Sequence, residues 1–190
     1  MSSSVSAGIL PIEVLLETSF GSIAIELYPD KAPASVARFL SLVEDGSFAQ
    51  YGTFYRSVRK NENDKGIPSI DVLQGGVREC PRPLTGIRHE PTSETGLRHV
   101  DGAVSLARGA VGTATGGAFF ICIGDQECLD AGGSRHEDKQ GFAVFGKVVQ
   151  GMQIVRTIHQ MKTSGVSADP RLAGQMVDPP VRFVSLTLWK

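Results

Sequence analysis

Eight runs of strand length, with helical spacing in only two places between them, limit the fold of this chain more than any other feature. The runs fall at 12–18, 22–27, 53–59, 70–73, 103–107, 118–123, 141–149 and 181–189. Each is four to nine residues of apolar or alternating sequence closed by turn-forming residues, a strand signature. A doubly wound α/β sheet needs a helix after nearly every strand and is excluded. A mainly β fold is predicted: a closed eight-stranded antiparallel barrel capped by two α-helices. Residues 1–11 are predicted to be a flexible N-terminal segment, and 12–190 a single domain.

The local signals support this outline. Runs 12–18 and 22–27 flank Ser19-Phe20-Gly21, a hairpin in which Ile23, Ile25 and Leu27 share one face. Asp30-Lys31-Ala32-Pro33 opens a helix whose stripe is Val36, Phe39, Leu40 and Val43, and Gly46 is placed to stop it. Met152, Val155, Ile158 and Met161 mark a second helix over 151–161. Segments 60–69, 127–141 and 163–180 are polar or rich in Gly and Pro and are expected to be loops. Residues 77–101, with little periodicity, are expected to wrap the surface with at most one short strand.

The stretch around 103–125 suggests a recognition surface. Arg108–Gly117 consists almost wholly of Gly, Ala, Thr and Val beside Phe119 and Phe120, which leaves room for another chain against an aromatic floor. Arg56 stands among Phe54, Tyr55 and Val58. It either reaches to solvent or is held at the edge of an apolar groove. A net charge of −1 gives no pull toward nucleic acid or membrane, and no apolar run approaches the ~18 residues of a span. Cys80, Cys122 and Cys128 form no CxxC, and no Cys/His cluster has zinc spacing, so a reduced chain without metal or cofactor is expected. His89-Glu90-Pro91 lacks the second His of a zincin, and 112–117 lacks the Lys-Ser/Thr of a phosphate loop. His99, His136 and His159 are expected at the surface or locally hydrogen-bonded. Residues 1–8 carry no leader pattern, so the expectation is a cytoplasmic chain, or a periplasmic one if a leader has been removed.

Phe54-Tyr55-Arg56, Gln74-Gly75-Gly76, Ser105-Leu106-Ala107-Arg108, Phe119-Phe120-Ile121-Cys122, Leu129-Asp130 and Phe145-Gly146-Lys147-Val148 occur in this order. Together they resemble the cyclophilin family of peptidyl-prolyl cis–trans isomerases, in particular its bacterial branch, over nearly the whole chain. The resemblance implies an outer groove for an Xaa-Pro segment. In it Arg56 is the catalytic arginine, Gln74 its support and Phe120 the floor of the proline pocket. Ala107, Arg108 and Gly109 form the wall, and Leu129 is a further pocket residue. The implied partners are proline-containing unfolded or flexible polypeptides, met by a monomer that binds neither nucleic acid nor membrane.

The chain departs from the family's pattern at several of these positions. Asp71-Val72 replaces Phe-Met, leaving Val72 as the apolar wall. Gly117-Ala118 replaces a donor-bearing pair, Cys128 a Trp or Phe, and Phe142 a His or Tyr. The interval from Arg56 to Gln74 is about ten residues longer than usual. Two other readings compete: a proline-peptide binding module or chaperone with little turnover, and a carrier of lipocalin type, which needs an open barrel interior. Cyclosporin is expected to bind weakly, because Cys128 stands where an indole usually meets it. Sub-micromolar affinity by calorimetry would contradict this.

Overall fold

In the computed structural model, which describes residues 10–78, 80, 82–164 and 167–189, strand β1 (Ile12–Thr18) turns directly into β2 (Gly21–Leu27). Residues 1–9 of the expected N-terminal segment lie outside the described residues. The turn is tighter than the sequence suggested. Gly21 pairs with Thr18 at φ 124°, and the Thr18 hydroxyl donates to the Gly21 carbonyl at 2.9 Å while accepting from the Phe20 amide.

Helix α1 (Pro33–Glu44) buries Val36, Phe39, Leu42 and Val43. Its N-cap, Ala32, has no side chain to satisfy the first amides. Glu90 supplies the acceptor from the irregular stretch expected at 77–101. Its buried carboxylate accepts from the amides of Ala34 and Ser35, both at 2.9 Å, and from the Ser35 hydroxyl at 2.7 Å. Gly46, in the left-handed conformation, ends one helix and begins another, α2 (Ser47–Tyr51).

Strands β3 (Gly52–Val58) and β4 (Val72–Val77) follow, then α3 (Thr92–Thr95), β5 (Ala103–Leu106), β6 (Ala118–Cys122) and β7 (Ala143–Gln150). Helix α4 (Met152–His159), the two-residue β8 (Thr163–Ser164) and the long β9 (Met176–Leu188) complete the chain. The sheet order is β1-β2-β7-β5-β6-β4-β3-β9, and β9 pairs back onto β1, closing an eight-stranded antiparallel ring. β8 lies outside the ring on β9. The described residues hold four α-helices where two were expected, because α2 and α3 are single turns too short to leave a stripe. Beyond Val77, which ends β4, segment 77–101 contains α3 and, among its described residues, no further strand.

The barrel is filled. Phe39 and Phe48 from the helices meet Phe54, Phe119, Phe145 and Phe183 from the strands, with Phe39–Phe48 and Phe54–Phe183 centroids 4.8 and 4.9 Å apart. An eight-stranded barrel is just wide enough for such side chains to occupy it, so the carrier reading is excluded. α4 adds Val155 and Ile158 to this core. Arg59, itself buried, donates to the carbonyls of His159 and Met161 and so fastens the end of that helix to β3.

Two expectations about strand ends fail for physical reasons. β4 runs through Gly75-Gly76 instead of stopping before them. The glycines are there for close approach: a Cβ on Gly75 would lie 2.7 Å from the Phe54 ring, and one on Gly76 would overlap the Gly117 carbonyl. β9 likewise begins inside the expected loop 163–180. Its prolines are accommodated where Phe54 pairs with Val181 and Arg56 with Met176, so that residues 177–180 bulge out of the β3–β9 ladder, with Val177 paired to Thr163 of β8. No helix among the described residues is long and apolar enough to cross a membrane.

Gly76→Ala combines that overlap with φ 124°. It is expected to cost about 3 kcal/mol or more, against about 1–2 kcal/mol for Gly46→Ala, where nothing lies within 4 Å. Urea melts of the two variants check this ordering.

Candidate active site

The outer face of the barrel carries a single rung of aligned residues. Arg56 on β3 pairs with Gln74 on β4, Gln74 with Phe120 on β6, and Phe120 with Ser105 on β5. Strand alternation puts Phe119 inside the barrel and Phe120 outside it. On β3 alternation alone would return Arg56 to the side of Phe54, which is interior. A bulge between Phe54 and Arg56 takes Tyr55 out of both ladders and turns Arg56 and Val58 outward. Phe120, Val58, Ile70, Val72, Cys122 and Leu129 belong to a second apolar cluster, separate from the barrel core.

Eight of the nine residues singled out in the sequence line one pocket of about 180 Å³: Arg56, Val72, Gln74, Ala107, Arg108, Phe120, Leu129 and Phe142. Gly109 lies in the adjoining cleft. Arg56 is half-buried and does not simply reach to solvent. Its Nε donates to Gln175 Oε1 and its Nη1 to Gln74 Oε1, both at 2.9 Å. Gln74 in turn donates to the Tyr55 hydroxyl at 3.0 Å. Burial lowers the pKa of Arg56 from its ordinary value, yet a guanidinium remains charged at neutral pH. Gln175 is 2% exposed and anchored through its own amide to the Asn63 carbonyl.

The wall is built from a locked cation. Arg108 makes a two-pronged bond to Asp138 (2.8 and 2.9 Å), donates to the Gly141 carbonyl and lies 5.0 Å from the centre of the Phe142 ring. Phe142 meets Phe120 edge-on at 5.6 Å. Its contribution is therefore apolar and aromatic.

Several pocket residues were not foreseen. Val58 and Ile70 had an apolar signal but no motif. Gln175 and Arg135 sat in segments expected to be loops, and nothing local marks them. Arg135 is fixed by the buried Asp64, with Nη1 and Nη2 at 2.8 and 2.9 Å, and by the Pro68 carbonyl. Burial alone would raise the Asp64 pKa. The bonds from Arg135 and from the amides of Gly66 and Ile70 outweigh it and hold the carboxyl below its usual value.

Behind the floor, His99 stacks on Phe120 with ring planes 14° apart. It is buried, as is His159, and neither is a surface residue. Nδ1 of His99 is 2.7 Å from Asp130 Oδ1 and Nε2 is 3.0 Å from Ser105 Oγ. Burial lowers the His99 pKa and the Asp130 bond only partly offsets this. For Asp130, burial raises the pKa but the bonds from His99 prevail, so it is held down. A neutral imidazole beside a carboxylate has its proton on Nδ1, and Ser105 donates to Nε2. Ser105 is fully buried beneath Phe120, so this Ser-His-Asp chain supports the floor and is no nucleophile. Among the described residues no group of three His, Cys, Asp or Glu could hold a metal ion.

Fold and rung together define a barrel protein with an arginine-edged aromatic pocket on its outside. The family model for cyclophilin-type peptidyl-prolyl cis–trans isomerases matches residues 13–180, and the chain belongs to that family. It is similar to a peptidyl-prolyl cis–trans isomerase A of Dickeya dadantii, 33% identical over 154 residues covering 80% of this chain and 74% of that one. It is also similar to a peptidyl-prolyl cis–trans isomerase of Acinetobacter baylyi, 30% identical over 182 residues covering 92% and 84%. Its fold matches a cyclophilin-type isomerase of Cryptosporidium parvum solved in the presence of the dipeptide Ala-Pro, with TM-score 0.70, 16% identity and coverage of 94% and 99%.

The buried histidines give the fold a pH signature. Both His99 and His159 have folded pKa values below the ordinary 6.5, each chiefly through burial. The unfolded chain therefore takes up protons first as pH falls, and stability is lost below about pH 6.5. Urea melts should give a plateau of stability between about pH 7 and 8 and a decline of up to about 1.4 kcal/mol per pH unit for each histidine below it. Replacing His99 with Gln should flatten that decline.

Proposed function

We propose that this protein is a peptidyl-prolyl cis–trans isomerase acting on Xaa-Pro bonds in unfolded or flexible chains, with the 180 Å³ pocket receiving the proline. The uncatalysed barrier is ~20 kcal/mol because the prolyl nitrogen's lone pair is delocalised into the carbonyl. No bond is made or broken, so the reaction needs neither nucleophile nor cofactor. It needs a hold on the ring and a donor that favours the twisted amide over both planar forms.

The orientation of Arg56 carries this reading. A guanidinium has five N–H groups. Gln175 and Gln74 take one each, fixing its plane and leaving three for a ligand in the pocket. A donor held in advance at the place where the nitrogen becomes pyramidal costs no reorganisation in the transition state. Phe120, Leu129, Val72 and Phe142 supply apolar contact for the ring while the acyl side turns.

NMR exchange on a short Xaa-Pro peptide tests the assignment. The intact protein should accelerate exchange, and Arg56→Ala should cut the acceleration at least tenfold, about 1.4 kcal/mol or more of transition-state stabilisation. Arg56→Lys should also lose most of it, because an ammonium cannot hold both glutamines and still present a fixed donor. Peptide binding with exchange left at the uncatalysed rate would make the groove a docking module and end the isomerase reading.

A further inference from the structure

Beside the proline pocket lies a larger cleft of about 820 Å³ that shares Arg56, Arg108 and Arg135 with it. A polypeptide whose proline occupies the pocket must continue across this surface. Lys65 and Arg171 also line the cleft, giving five cations against two carboxylates, Asp64 and Asp169. The whole chain has 19 basic and 20 acidic residues, so this is a local concentration of positive charge.

The partners of these charges decide which kind of side chain the cleft can take. Asp64 is 2% exposed and its oxygens are occupied by Arg135 and by the amides of Gly66 and Ile70. Asp169 is held by the guanidinium and the amide of its neighbour Arg171. Arg108 is paired with Asp138 behind the wall. That leaves no unoccupied carboxylate on the cleft surface for a basic ligand. Among the described residues Lys65 and Arg56 make no ion pair. Even counting Asp138, the cleft has five positive charges to three negative.

The loop that carries Lys65 is placed by the Asp64–Arg135 bonds and by the hydrogen bond from Arg135 to the Pro68 carbonyl. It is the stretch that lengthens the interval between Arg56 and Gln74. From these charges and their partners we infer that the cleft selects substrates with an acidic side chain flanking the Xaa-Pro pair, with Lys65, an exposed cation without an ion pair among the described residues, as the specificity-determining residue. This rests on the isomerase reading for its catalytic form only, since charge selection is equally readable as binding. An acidic side chain gains an ion pair with an exposed cation, while a basic one meets an unbalanced positive surface.

The test compares three peptides that carry Glu, Gln or Lys within two residues of the same Xaa-Pro pair, on either side, using kcat/KM from NMR exchange and Kd from calorimetry. At about 20 mM salt the Glu peptide should exceed the Lys peptide by about tenfold on at least one side, with Gln between. The ratio should shrink severalfold at about 0.5 M salt. The Lys65→Glu variant should abolish the preference or reverse it. Lys65 is exposed, so charge and not folding is what changes. Equal values for Glu and Lys on both sides, or a ratio that survives charge reversal, would overturn the inference. If the Gln peptide shows no turnover, the isomerase reading fails separately, and the Kd ratio still decides the charge preference.

Discussion

Register is the constraint on which the rest of this structure depends. Phe119 and Phe120 are adjacent, and the pleat sends one into the barrel and the other onto the groove floor. A slip of one residue in β6 would exchange them, expelling a ring that packs edge-on against Phe39 at 5.6 Å and Phe54 at 6.2 Å. The aromatic core therefore holds the floor in place indirectly, by making any other register expensive. The bulge at Tyr55 completes the arrangement. Without it β3 could not satisfy the barrel with Phe54 and the groove with Arg56 two residues later. Gly75 and Gly76 allow this geometry, because the strand opposite the bulge passes too close to Phe54 and Gly117 for any side chain.

The long connections are held by one repeated device, a buried carboxylate that binds backbone amides. Glu90 takes the open end of α1, Asp64 gathers the 60–70 loop together with Arg135, and Asp130 binds both the amide and the ring of His99. Each collects donors that irregular chain would otherwise leave buried and unpaired. The consequence for the site is rigidity at its edges. The loops bearing Arg135, Leu129 and Arg108 are fastened by hydrogen bonds to charged groups, which are stronger than neutral ones. The groove walls are thus positioned before any ligand arrives.

Much of this was legible in the sequence because periodicity reports which face is buried. The hairpin, α1, α4 and the outer strands followed from spacing alone, and the tripeptide motifs located Arg56, Gln74 and Phe120. What failed shares a cause. Gly75-Gly76 and Pro179-Pro180 read locally as punctuation, whereas the fold uses the first for close approach and the second in a bulge. Glu90 looked like an orphan of a broken zinc motif, although it caps a helix more than fifty residues earlier. Gln175 and Arg135 could not be found at all, since each acts on a group more than seventy residues away. Local sequence carries no trace of such a partner.

The division between the two apolar clusters explains how the pocket can depart from its family's pattern while the barrel stays intact. Val72, Cys128 and Phe142 all belong to or pack on the outer cluster, and none enters the barrel core. Substitutions there exchange contacts with ligand and with one another, and leave interior packing untouched, so their effects on stability and on recognition are separable. Phe142 illustrates the point. It has no polar atom to offer a ligand, yet Arg108 over its face and Phe120 against its edge keep the wall closed. The 60–69 loop is only partly independent in this sense, because the Asn63 side chain donates to the Ser57 and Gly174 carbonyls and its own carbonyl accepts from Gln175. Its outer part around Lys65 can therefore vary in charge, while a change at Asn63 would reach Arg56 through Gln175.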